Sequence, residues 1–131
     1  MACNKEVDPS AVTPQMLTGK WEIRNQLGGF IGTQTFPPGN GHIMEFTTSK
    51  LTFYNNGAAG QTAIYVLHRE STTSTDCPAT LPYKEMERLL TDPDIGYSSR
   101  EFLLIKDGKL TLLTTCGIPD QPYSTEWEKI E

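Results

Sequence analysis

Two histidines and three cysteines are the side chains of this 131-residue chain best suited to metal or nucleophilic chemistry. His42 and His68 each stand in or beside a segment of strand character, and neither has a second histidine at ligand spacing. They therefore predict no metal site. Asp92-x-Asp94-x-Gly96 offers two acids of the kind a calcium loop uses. The third acid is missing, the glycine comes one position early, and the twelfth position holds Leu103 where such a loop needs glutamate. There is no Gly-x-Ser-x-Gly turn to expose a nucleophilic serine. Cys116 closes the apolar run Leu110–Thr115 ahead of Gly117, with Asp120 the nearest acid and no histidine close in sequence. Cys77 precedes Pro78 in a polar stretch. Two loop-edge cysteines so far apart suit a disulfide that ties a long loop to a strand end, worth about 3–4 kcal/mol of lost chain freedom. Two unrelated buried thiols are the alternative. No catalytic residue, cofactor or metal is predicted, and the reading is non-enzymatic.

Composition narrows the partners. There are 11 basic and 16 acidic residues, a net charge of -5, and the seven lysines and four arginines are scattered among the acids. Phosphate backbones need clustered cations, so a nucleic-acid partner is not expected. A chain of 131 residues, 37% hydrophobic and 21% charged, has the makings of one domain with its own core. No run approaches the ~18 apolar residues of a membrane-spanning helix.

The elements that must position these residues read as strands. Lys20–Asn25 sets Trp21 and Ile23 on one face and Glu22 and Arg24 on the other. In Ile43–Thr47, Met44 and Phe46 oppose Ile43 and Glu45. Lys50–Tyr54 sets Leu51 and Phe53 together, and Asn55-Asn56-Gly57 ends it with residues that tolerate positive φ. Thr62–Arg69 is β-rich in composition, with Ile64, Tyr65 and Val66 at its centre. Arg100–Lys106 and Lys109–Thr115 form a hairpin about Asp107-Gly108, the pair a type I′ turn favours. Ser124–Ile130 carries Trp127. Tyr83, Met86, Leu89 and Leu90 fall at helical spacing between Pro82 and Asp92-Pro93, which predicts one short helix at Pro82–Leu90 with Glu85 and Glu87 on its solvated face. A strand with polar interruptions is the alternative there. Together these predict an all-β fold, an antiparallel up-and-down barrel with one short helix over residues 15–131, after a flexible tether at 1–14. Closure brings the first and last strands together, with Trp21 and Trp127 available to fill the interior.

Two features are candidates for binding. Gln26–Gly41 runs about sixteen residues without periodicity, longer than the ~12–15 above which a loop is usually functional or disordered. Its Phe30, Ile31 and Phe36 suit a lid over a barrel mouth, or equally a tuck into the core edge. Gly28-Gly29-Phe30-Ile31-Gly32 lacks the Lys-Ser/Thr ending of a phosphate loop. The second candidate is the interior: Ile23, Met44, Phe46, Leu51, Phe53, Phe102, Leu104, Leu110 and Leu112 are expected to face inward. They line a ligand-sized space if the barrel is wide and pack solidly if it is not.

Leu17-x-Gly19-x-Trp21-x-Ile23, the Phe53-Tyr54-x-Asn56-Gly57 strand end and the closing Tyr123-x-x-x-Trp127-x-x-Ile130 resemble the lipocalin-like, calycin-type barrels found among bacterial lipoproteins. The resemblance implies that Trp21 plugs one end of the barrel and that a small apolar molecule is bound inside. It also implies an arginine on the last strand beside the tryptophan; the last strand here has Lys129 instead, and Arg24 is the arginine near Trp21. Ala2-Cys3-Asn4-Lys5-Glu6 resembles the mature start of a bacterial lipoprotein, with Cys3 the lipidated residue and Met1 standing in place of a removed leader. The expected function is that of a small-molecule binding or carrier protein of the cell envelope, periplasmic or anchored to the outer membrane through Cys3. A filled barrel that binds or inhibits another envelope protein is the alternative.

Overall fold

The computed structural model describes residues 12–27, 33–71, 85–92, 101–113 and 124–131. Nine strands follow a single short helix, α1 (Pro14–Leu17): β1 (Gly19–Leu27), β2 (Gln34–Thr35), β3 (Ile43–Phe46), β4 (Lys50–Asn55), β5 (Ala58–Ser71), β6 (Glu85–Asp92), β7 (Phe102–Lys106), β8 (Lys109–Leu113) and β9 (Ser124–Lys129). Each strand from β3 onward pairs antiparallel with its neighbour in sequence. β9 then pairs with β1, so eight strands close into a barrel. The seam places Ile23 opposite Trp127 and Trp21 opposite Lys129. β2 adds a two-residue ladder to the far end of β1, beyond the stretch that β3 occupies.

The turns follow from residue type. Asn56 and Gly57 have φ of 53° and 80°, and Asp107 and Gly108 have 54° and 75°. Both positions of each two-residue turn are left-handed, which asparagine, aspartate and glycine bear at least cost and which matches the twist of the flanking strands. The central core is made of Leu17, Trp21, Met44, Phe46, Leu51, Leu89, Leu103, Leu110 and Leu112. Tyr65 packs its ring edge-on to Phe46 at 5.2 Å and donates its hydroxyl to the Thr47 carbonyl at 2.6 Å.

α1 closes the end where β1 begins. Thr13 caps it, accepting from the Met16 amide, and Pro14 stands at a first-turn position where its missing N–H costs nothing. The Trp21 indole N–H donates to the Leu17 carbonyl at 2.8 Å, and the indole is 2% exposed. Lys129 holds its ammonium 5.7 Å above the Trp21 ring. Val12 is already buried and donates its amide to Glu87 at 3.0 Å, so packed chain begins inside the segment expected to be a tether.

Several expectations need correction. Glu85–Asp92 is strand β6, and the one helix among the described residues is α1. Met86, Leu89 and Leu90 have helical spacing because β6 is covered on both sides: Leu89 joins the central core while Met86 belongs to a second cluster with Phe102. A strand buried on both faces shows no clean alternation. Glu87 is not solvated but 4% exposed, paired with Arg69 at 2.8 Å, and Glu85 also meets Arg69, at 3.2 Å. Phe102 and Leu104 are not interior. They pack with Met86 and Leu113 on the other face of the sheet, where the Arg88 guanidinium lies 4.9 Å over the Phe102 ring. Leu103 and Ile105 take the inward register instead. Phe102-Leu103-Leu104-Ile105 is apolar throughout, so sequence alone gives no sign of which pair turns in.

Two residues test this architecture. A Cβ on Gly19 would stand 2.3 Å from the Glu131 carbonyl oxygen, and its φ of +130° is one that side chains rarely adopt. Gly19→Ala is expected to cost roughly 2–3 kcal/mol in urea unfolding. Glu101, 4% exposed, leaves one carboxylate oxygen without a hydrogen-bond partner, and burial pushes its pKa up to about 8. The native state thus holds the proton more tightly than the unfolded chain. That contribution is complete below the ordinary value of 4.5 and is lost as pH rises through about 8. Glu101→Gln is expected to flatten the fall in stability between pH 6 and pH 9, which amounts to roughly 3 kcal/mol and ends near pH 8. Parallel melting curves across that range check it.

Candidate functional site

A cavity of about 620 Å³ lies toward the far end of β1 from α1. Its apolar wall comes from Ile23, Phe36, Phe53 and Trp127, and its polar wall from Gln26, Gln34, His42, Asn55 and Gln61. The volume falls inside the ~300–1,000 Å³ typical of small-molecule sites.

Two bulges shape it. On β1 the pairing with β9 slips between Ile23 and Asn25. Asn25 consequently donates outward to Glu126 at 2.8 Å, while Gln26 aligns with the buried Thr125. Strict alternation from Ile23 would send Gln26 outward; the extra residue at Arg24 turns it in. On the β4–β5 ladder, Thr52 pairs with Thr62 but Tyr54 with Ala59, leaving Gly60 and Gln61 both opposite Phe53. A side chain on Gly60 would approach the Phe53 carbonyl to 3.3 Å. Bulges at barrel rims widen the sheet locally and re-aim side chains, and both of these border the cavity.

A buried carboxylate fixes the remaining wall. Glu22 points away from the core and accepts hydrogen bonds from the Gly39 amide at 2.8 Å, the Gly41 amide at 3.1 Å and the Arg24 guanidinium at 2.6 Å. Asn40 completes the turn, donating to the Ile23 and Pro37 carbonyls and accepting from the His42 amide. The Phe36 amide donates to the Arg24 carbonyl and the Ile23 amide to the His42 carbonyl, so the excursion leaves β1 and rejoins it one residue away. Phe36 thereby packs against the core and meets the His42 ring edge-on at 6.4 Å. Burial alone would raise the Glu22 pKa, but the Gly39 and Gly41 amides and Arg24 outweigh it and hold the carboxyl below its ordinary value.

The structure separates the expected site residues. Ile23 and Phe53 line the cavity. Met44, Phe46, Leu51, Leu110 and Leu112 fill the core beneath it. Within the stretch expected to be a sixteen-residue loop, Gln26 and Leu27 extend β1 and Gln34–Thr35 form β2. Phe36 lines the cavity, whereas Phe30 and Ile31 lie outside the described residues, as do Cys3, Cys77, Cys116, Asp94 and Gly96. His42 borders the cavity, while His68 is exposed on β5 opposite Arg88. Among the described residues no three His, Cys, Asp or Glu side chains gather as metal ligands. Gln26, Gln34 and Gln61 were not expected. Gly60, alone inside a strand pattern, was the available sign of a bulge; nothing in the residues around Arg24 announced the other.

No family model matches the chain, and no curated protein or solved structure matches it.

The Glu22 cage gives a pH signature of opposite sense to that of Glu101. Its native pKa is depressed, so its stabilisation is present above the ordinary carboxyl value of 4.5 and is lost as pH falls below it. Glu22→Gln is expected to lose roughly 2 kcal/mol at pH 7 and to lose less at pH 3. Urea midpoints at the two pH values measure the difference.

Proposed function

We propose that this chain is a non-enzymatic lipocalin-like carrier that holds a small apolar molecule in the cavity bordered by Ile23, Phe36, Phe53 and Trp127. The observation that carries the reading is the cavity itself: about 620 Å³ beside a core of packed, buried side chains. A barrel needing only stability would close this end with side chains, as it closes the other with Leu17 and Trp21. The resemblance in Gly19-x-Trp21 adds support, while Lys129, 5.7 Å over the Trp21 ring, stands where such barrels carry an arginine.

The proposed setting is the bacterial cell envelope. It rests on the Ala2-Cys3 start, read as a lipid attachment point, and on Cys77 and Cys116, read as a disulfide pair suited to an oxidising compartment. A second reading, an interaction module, draws on Ile64 and Val66. They are 58% and 56% exposed on the outer side of β5 and present an apolar stripe to a partner surface.

Titration with N-phenyl-1-naphthylamine, an uncharged probe that brightens in apolar surroundings, distinguishes the two. Saturable uptake is expected, weakened at least about tenfold in Phe53→Trp, whose larger ring intrudes on the cavity. Absence of saturable uptake by the parent protein would count against the carrier and leave the interaction module.

A further inference from the structure

The polar wall of the cavity has a composition that selects among ligands. Gln26 and Gln34 stand opposite one another across β1 and β2, and Gln61, at the β5 bulge, borders the same cavity. None of the three carboxamides has a hydrogen-bond partner among the described residues; Gln26 and Gln34 are half-buried and Gln61 is exposed at the cavity mouth. Among the described residues the lining contains no lysine, arginine, aspartate or glutamate. The nearest cation in sequence, Arg24, lies on the outer face of β1, engaged by Glu22 at 2.6 Å and Glu128 at 3.1 Å.

Resting on the carrier reading, we propose that the ligand bears an uncharged head group with both a hydrogen-bond donor and an acceptor, of the amide, lactam or urea class, and that Gln26, Gln34 and Gln61 recognise it. A carboxamide offers two N–H donors and a carbonyl acceptor, so it pairs with another amide in both directions. A carboxylate head would give up its water for carboxamide dipoles and the His42 imidazole, with no lysine or arginine among the described lining residues to balance it inside a chain of net charge -5. An ammonium head would find no carboxylate. Free fatty acids, with an apolar body of the right kind, carry the wrong head for this wall.

The test compares two ligands of one shape, 2-naphthamide and 2-naphthoate, by calorimetry on the full chain at pH 8. The amide is expected to bind at least about tenfold more tightly. The ratio is expected to fall toward one in the Gln26→Leu, Gln61→Leu double variant. Equal or tighter binding of the naphthoate overturns the head-group assignment. So does a protein that takes up N-phenyl-1-naphthylamine but binds neither naphthalene. A preference for the amide that survives the double variant overturns the role of the glutamines. Failure to take up N-phenyl-1-naphthylamine removes the carrier reading itself, and this proposal with it. The parent ratio needs no variant, so a variant that folds poorly leaves the comparison intact.

Discussion

Ile23 meets Trp127 across the ladder between β1 and β9, and the barrel exists because that ladder forms. Without it, eight strands would make an open sheet with two unpaired edges, each a row of amide and carbonyl groups in need of partners. With it, the backbone of β1 is engaged on one side by β9 and on the other by β3 and β2 in turn. The same strand supplies the indole that packs under α1, the carboxylate that pins the excursion at 36–42 and the glutamine that enters the cavity. One nine-residue strand thus connects closure, core and site.

Three buried glutamates show how the barrel treats charge. Glu22 is ringed by two amides and a guanidinium, so its charge is an asset to the folded state. Glu87 is held between Arg69 and the Val12 amide, linking the wall of the barrel to the segment before α1. Glu101 has burial without such compensation, and protonation is its remedy. The first two organise chain segments that would otherwise be loosely held. The third makes the fold sensitive to alkaline conditions.

The sequence made the hairpins legible, because Asn56-Gly57 and Asp107-Gly108 admit few other backbone conformations. Alternation located β1, β3 and β4, each with one face on the core. It failed where both faces are covered. β6 looked helical because Met86 and Leu89 serve opposite sides, and β7 gave the wrong inward pair because four apolar residues in a row carry no phase. The cavity was the least legible part. Its apolar half follows from alternation, as Ile23 and Phe53 show. Its polar half depends on bulges, where a single extra residue reverses the inside and outside of all that follows. Such a slip is fixed by ladder geometry, and a residue of ordinary type such as Arg24 does not reveal it.

Every ladder from β3 to β9 joins segments consecutive in the chain; the seam alone spans nearly its whole length. During synthesis, therefore, hairpins can assemble in order as the nascent polypeptide leaves the ribosome, while β1 waits for the barrel strand that is made after the other seven. Over that interval one edge of β1 is open to solvent and to neighbouring chains. Residues 124–131 act as a latch, and a product truncated before them would retain its hairpins yet expose the sticky margin that the closed barrel conceals.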